Sequence, residues 1–420
     1  MSRVQVPPEA LNHKYKDTHF HYSVMTRQAA IDIHKSKARL VCAEMRLHNP
    51  LSEKNIELIR DFEKQLFAES ISTGRVEKYV RTLRTIAESF DKDFDQVTKK
   101  DVEDYVYRIE RSDYSPWTKH DYKVVLKRFY KWLRKTGDEY PEEVKWVKTT
   151  MKAKDEILPE DLLTEDEIMK MINACDSPRD RAFIITLYES GARIGELGTL
   201  RVGDVVFEES YSRLILKGKT GSRRVIVVAS TPYLATWIQH HPLKNDVDAP
   251  LWVNLGTVNR HDAMSYPGLA KLLRVAAVKA KLNKKIHPHK LRHSRATYLA
   301  SKLTEAQMNQ VFGWKQGSDM PSVYVHMSGR DTDDAMLGVY GLKKVEHEQS
   351  KMTPKICPRC QVSNVVDSKF CSKCGLALDV KAAAEIEDAR SKADGIMDEL
   401  MKDSEFRELL QRKMKQLRMM

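Results

Sequence analysis

The run HPHKLRHSRATYLA, residues 287–300, places His289, Lys290, Arg292, His293 and Arg295 on the first turns of a predicted helix. Basic and proton-transferring side chains this dense point to an anion site, and phosphate is the anion they suit best. His289 and Arg292 are three residues apart and share one face of a helical turn. Two other stretches give the run its meaning. GARIGEL, residues 191–197, brings a second arginine, Arg193, and SVYVHM, residues 322–327, brings Tyr324.

Breaking a phosphodiester requires charge to be stabilised on the non-bridging oxygens and a proton to reach the leaving oxygen. The planar fork of an arginine clamps two oxygens at once, which makes Arg193 and Arg292 the candidates for the first task. A histidine such as His289 carries protons near neutral pH. Lys219 lies in the glycine-containing hairpin LKGKTGSRR, residues 216–224, where a mobile tip can reach over a substrate as a general acid. Tyr324 supplies a hydroxyl nucleophile that nearby positive charge activates. Lys217, Arg223 and Arg224 could replace Lys219 on charge alone, and Arg223 and Arg224 read more simply as phosphate contacts. His293 reads as a helix-stabilising or substrate-near histidine, and Tyr298 as helix core.

The chain has 420 residues, room for two or three domains, and its 41% hydrophobic content supports packed cores. Charged residues make up 31%, and no apolar run approaches the roughly 18 residues that a membrane helix needs, so no membrane partner is expected. The first residues lack the apolar stretch of a signal peptide, which predicts a cytoplasmic, nucleoid-associated protein. The net charge of +12 favours a polyanionic partner.

Residues 1–50 read as an N-terminal extension, with a short leader or linker helix over 38–47. Residues 51–150 read as a helical DNA-binding unit. Within it, Ser115 and Pro116 open a helix running through Leu133, with Tyr122, Val125, Leu126, Phe129 and Leu133 on one stripe. Lys119, Lys123, Lys127, Arg128, Lys131, Arg134 and Lys135 lie between and after those positions, and a face this positive is expected to meet DNA phosphates. Residues 160–345 read as mainly helical with a small β-hairpin, strands being expected at 213–216 and 224–228. Thr164 with Glu167 forms a capping box at its start, and Thr304 with Gln307 opens a later helix.

Arg193 in Ala192-Arg193-Ile194-Gly195-Glu196-Leu197, Lys219 after Gly218, His289-Lys290-Leu291-Arg292, Gly313-Trp314, and Tyr324 ten residues on make an ordered series. In that series the chain resembles the tyrosine recombinase (phage integrase) family, closely over about 164–340 and more loosely over 51–148. Trp314 stands where bacterial members usually carry a histidine. The resemblance implies a SAM-like core-binding domain followed by a mixed α/β catalytic domain, in a mostly α protein. It implies that Tyr324 attacks the scissile phosphate to form a 3′-phosphotyrosyl link. Arg193 and Arg292 would brace the non-bridging oxygens, Lys219 protonate the leaving 5′-oxygen, and His289 assist proton transfer at the tyrosine. Trp314 would pack the site, and Glu196 support it from behind. The partners implied are a double-stranded recombination site and further copies of the chain in a four-protomer synapse, with no cofactor for the chemistry. The segment 333–342 is expected to dock on a neighbouring protomer. A type IB topoisomerase-like enzyme would use the same residues, and a DNA-binding regulator that had lost strand exchange is the reading outside enzymes. Tyr340 is the rival nucleophile, too far from Trp314 to be preferred.

Cys357-x-x-Cys360 and Cys371-x-x-Cys374 are two knuckles ten residues apart, the pattern of a zinc ribbon over 355–378 with a structural Zn2+. Residues 381–420 form a helical tail. Its apolar series Ala382, Ile386, Ala389, Ala393 and Ile396 suits a helix pair, an oligomerising helix or a helix packed on its own domain. The ribbon and tail exceed what a minimal recombinase needs and mildly favour a viral, plasmid or archaeal setting.

Overall fold

Ser115 and Pro116 show how locally the first helical unit is specified. The Ser115 hydroxyl accepts the Thr118 N–H at 3.2 Å, and Pro116 takes the first helical position, where a missing N–H leaves no bond unmade. In this computed structural model, residues 31–150, 159–218, 221–327, 340 and 350–417 are described. From Asp32 onward they belong to one compact unit.

The first part is helical: α1 (Ser36–Met45), α2 (Glu53–Ala68), α3 (Thr73–Ala87), α4 (Lys99–Arg111), α5 (Pro116–Leu133) and the short α6 (Glu142–Lys145). Their apolar stripes meet around Phe62, Phe94 and Phe129, with Phe62 and Phe129 edge to face at 5.3 Å. One expectation is corrected here. The helix foreseen over 38–47 is no detached leader: α1 packs on α3, Leu40 and Leu47 join the core, and Arg39 bonds Glu77 at 2.9 Å. Two apolar anchors name no packing partner, so the sequence showed the helix and not where it docks. The basic face of α5 is largely engaged within its own unit. Lys119 donates to the Glu110 carbonyl at 2.7 Å, Lys123 pairs with the Glu110 carboxylate, and Lys127 donates to the Val147 carbonyl at 2.9 Å. Arg128 reaches Glu69 at 2.5 Å, and Arg134 reaches Glu143 at 3.0 Å. These long side chains lie along the flanks of α5 and bind it to its neighbours.

The second part carries α7 (Glu165–Asn173), α8 (Pro178–Ser190), α9 (Ile194–Gly198), α10 (Thr231–His240), α11 (Tyr266–Lys279), α12 (Pro288–Ala300), α13 (Glu305–Phe312) and α14 (Met320–Met327). Capping boxes open α7 at Thr164 and α13 at Thr304, where the sequence places them. Between α9 and α10 lie β1 (Val205–Phe207), β2 (Ser212–Gly218) and β3 (Gly221–Val227), an antiparallel sheet with Leu214 opposite both Val205 and Val225. The sequence shows only the hairpin β2–β3, because three residues of β1 are too few to alternate visibly.

Two glycines end helices where no other residue fits as well. Gly191 (φ 57°) closes α8 and Gly313 (φ 62°) closes α13, both left-handed. A Cβ on Gly191 would overlap the Phe312 ring, and one on Gly313 would lie 2.9 Å from Arg223 Nη1. The two sharp turns bring the ends of α8 and α13 together.

Beyond residue 350 the chain forms a small hairpin, β4 (Lys355–Ile356) with β5 (Ser363–Asn364), then α15 (Val380–Lys402) and α16 (Ser404–Gln416). Asp403 ends one helix and caps the next, accepting the Phe406 N–H at 3.0 Å. Ala382 is buried, whereas Ile386, Ile396, Leu400 and Leu409 are exposed. No helix among the described residues is long and apolar enough to cross a membrane.

Candidate active site

Arg292 is the centre of the site. It projects from α12, is 5% exposed, and donates to two helix-end carbonyls, Gly191 at 2.6 Å and Phe312 at 2.7 Å. Its guanidinium lies over the Phe312 ring at 5.2 Å and the Trp314 ring at 5.5 Å. Burial, then the charge of Arg193, lowers its pKa to about 10, which leaves it cationic at neutral pH.

Arg193 stands at the N-terminus of α9 and remains 41% exposed at its side chain, open to a ligand. Its Nη1 donates to Glu196 Oε1 at 2.9 Å, and its backbone N–H donates to Oε2 at 3.0 Å. Glu196 is 5% exposed. Burial alone would raise its pKa, but the hydrogen bonds and charges of Arg223 and Arg193 outweigh burial and hold it below the usual carboxylate value. Arg223 is the residue that sequence reasoning misplaced. It is not turned outward to phosphate: it donates to Glu196 Oε2 at 2.7 Å and to the Val311 carbonyl at 3.0 Å, with its side chain 11% exposed. The alternation of β3 was the available signal, because Arg223 shares the inward face with Val225 and Val227. Arg295 likewise points inward, donating to the Glu189 carbonyl at 3.0 Å between the rings of Tyr188 and Tyr298.

A ladder of rings crosses the site. Phe312 stacks on Trp314 at 4.8 Å, Trp314 on Tyr324 at 5.4 Å and 5°, and Tyr324 on His293 at 5.8 Å; His289 follows at 6.2 Å. Tyr324 is 1% exposed, in a small core with Ala296, Ala300, Met308 and Phe312. Its hydroxyl lies 2.6 Å from Nδ1 of His293. Burial raises the phenol pKa and Arg292 opposes the rise. His293 is pushed down to about 4, first by burial and then by His289, His287 and Arg292, and is neutral at physiological pH. His289 is solvent-exposed, and its pKa is lowered by partial desolvation and by Arg292 and Arg193. The sequence singles out His289 by its spacing, but the imidazole that meets Tyr324 is His293, one turn further along the same face of α12.

Arg193, Glu196, His289, Arg292, Trp314 and Tyr324 thus gather at one place. Lys219, and the segment 333–342 apart from Tyr340, lie outside the described residues. Tyr340, the rival nucleophile, is 71% exposed.

Away from this site, Cys357, Cys360, Cys371 and Cys374 lie with all four sulfurs within 4.8 Å of one another. Cys357 and Cys374 are 3.6 Å apart, and Cys360 and Cys371 are 3.5 Å apart. Four sulfurs at about 2.3 Å from a tetrahedral metal would be about 3.8 Å apart, so the cluster is the right size to hold a metal ion. Burial works against ionisation of Cys371, yet the backbone N–H groups of Cys374 and Lys373 help bring its thiol down to about 6.

Residues 161–330 match the model of the phage integrase family, and residues 59–137 match the phage integrase N-terminal SAM-like domain. The tyrosine recombinase XerA of Pyrococcus horikoshii is 27% identical over 61% of this chain and 84% of its own length. A tyrosine recombinase of Thermosipho africanus is 25% identical over 68% of this chain and 99% of its own. A lambda integrase dimer bound to a COC' core site shares the fold, with a TM-score of 0.53 at 15% identity over 73% of this chain and 84% of that one. The two matched segments together span more than half of the sequence, and the chain belongs to the tyrosine recombinase (phage integrase) family.

Proposed function

We propose that this protein is a site-specific DNA recombinase that cuts and rejoins strands through a 3′-phosphotyrosyl link to Tyr324. One observation carries this reading: Tyr324, hydrogen-bonded at its hydroxyl, stacks on Trp314, the ring over which the buried cation Arg292 lies. Arg292 is locked by two carbonyls and Arg193 by Glu196, so both cations meet a scissile phosphate with little reorganisation. Lys219 is assigned the proton for the leaving 5′-oxygen. His289, exposed beside the arginines, is assigned to the phosphate's outer side. The covalent link conserves the energy of the broken bond, so rejoining needs no nucleotide. The partners in this reading are a double-stranded recombination site and three further protomers. The structural metal proposed for the four cysteines is zinc, which thiolates in tetrahedral array select.

A nicked suicide duplex tests the reading. The unaltered protein is expected to give a protein–DNA adduct that survives a denaturing gel. Tyr324→Phe is expected to bind the duplex and give no adduct, and an adduct that persists in this variant removes Tyr324 as the nucleophile. Relaxed plasmid without joined partner duplexes would move the activity to the topoisomerase class.

A further inference from the structure

We propose that His293, rather than His289, takes the phenolic proton of Tyr324 when the tyrosine attacks DNA; this rests on the recombinase reading above. The geometry is direct. Tyr324 Oη lies 2.6 Å from His293 Nδ1, whereas His289 stands one ring further out, its centroid 6.2 Å from that of His293. A general base has to be within hydrogen-bond reach of the proton it removes, and His293 meets that requirement before DNA arrives. In the tautomer protonated at Nε2, Nδ1 accepts the phenolic hydrogen. Both partners are fixed: His293 shares α12 with Arg292, and Tyr324 is clamped between the His293 and Trp314 rings.

The step balances. The Tyr324 O–H bond breaks and its proton passes to His293 Nδ1. The Oη–P bond forms as the P–O5′ bond breaks, and the freed 5′-oxygen takes the proton assigned to Lys219. Rejoining runs the same transfers backwards.

The surroundings of His293 add a substrate requirement. Burial first, then His289 and Arg292 on its own helix and His287 just before it, disfavour an imidazolium in the free protein, while Tyr324 on α14 faces it as a neutral phenol. A DNA phosphate placed among Arg193, Arg292 and His289 adds negative charge beside this cluster, which favours the imidazolium. The base therefore becomes competent when the scissile phosphate arrives, and an unoccupied site leaves the tyrosine protonated.

The experiment compares single-turnover adduct formation by the unaltered protein, His293→Ala and His293→Gln, on an ordinary suicide duplex and on one whose 5′-bridging oxygen is sulfur. Sulfur leaves without a proton, so a lesion in leaving-group protonation disappears on the second duplex and a lesion in nucleophile activation does not. Both variants are expected to bind DNA normally, to form adduct roughly a hundredfold more slowly or worse, and to remain slow on the sulfur duplex. Added imidazole is expected to restore part of the rate of His293→Ala. The acid-side fall of the unaltered protein's pH–rate profile is expected to vanish in His293→Gln, which keeps a hydrogen-bond acceptor but no base. A variant rate equal to or above that of the unaltered protein overturns the proposal and makes His293 a resting-state tether. Recovery on the sulfur duplex overturns it in favour of a leaving-group role. Should His293→Ala fail to fold, His293→Gln carries the test. An unaltered protein that forms no adduct on either duplex refutes the recombinase reading itself, an outcome separate from any ratio between variants.

Discussion

Glu196 is a buried carboxylate held by two arginines of different kinds. Arg193 is partly exposed and open to a ligand as it stands, whereas Arg223 is enclosed and also ties Glu196 to the end of α13 through the Val311 carbonyl. Removing Arg223 leaves the carboxylate underpaired in a poorly solvated place. Arg223→Ala is expected to lower unfolding stability by roughly 3 kcal/mol, read from the urea midpoint. Arg223→Lys should recover little, because an ammonium lacks the planar fork that serves both acceptors. An unchanged midpoint in Arg223→Ala would show that Arg193 alone satisfies Glu196. The motif spacing made Arg193, Glu196 and Arg292 legible before any coordinates. Arg223 was not, because its charge argued for the surface while its register argued for the interior.

At the scale of elements, the site is made by helix ends. α8 stops at Gly191 and α13 at Gly313, and the carbonyls freed near those ends are what Arg292 and Arg223 bind. Gly191→Ala should therefore do more than strain a left-handed residue, since the added methyl meets the Phe312 ring on which Trp314 stacks. The expected loss is about 1–3 kcal/mol from backbone strain, with a further loss from displacing Phe312. Gly137→Ala is the control: Gly137 is also left-handed (φ 63°), but its added methyl meets nothing within 4 Å. Thermal unfolding of the two variants separates strain from collision, and equal losses would refute a packing role for Gly191. The caps at Ser115, Thr164 and Thr304 were legible because a cap is a local contract among four residues. The docking of α1 and the strand β1 were not, since each depends on partners distant in the chain.

At the scale of the molecule, two helical parts are followed by the cysteine hairpin and two helices with exposed apolar side chains. The segment leading into the hairpin is anchored on α7, where the Ser350 hydroxyl donates to Glu165 at 2.8 Å and Lys351 pairs with Asp166 at 2.8 Å. Two strands of two residues bury little, and the four sulfurs lie within 4.8 Å of one another, where a metal ion could join them. The purified protein is expected to carry about one zinc ion per chain by atomic emission. Cys371→Ser should lose it, with proteolysis opening the chain between residues 350 and 380. Far-UV circular dichroism should change little, because the helical parts have their own cores. Metal-free protein that resists protease in this segment would refute the structural role.

The sequence by itself determined the helices, their caps, the sulfur knuckles and the ordered series Arg193, Lys219, His289, Arg292 and Tyr324. All of these are local or depend on spacing along the chain. Only the tertiary structure decided which cations are available. The basic face of α5 is largely bound to its own unit, and Arg223 and Arg295 are interior, because whether a charge finds a carbonyl or carboxylate depends on segments folded against it from elsewhere. For the same reason only the fold brought the Tyr324 hydroxyl to His293. Both histidines of α12 lie on one helical face, and the position of α14 against it selects between them.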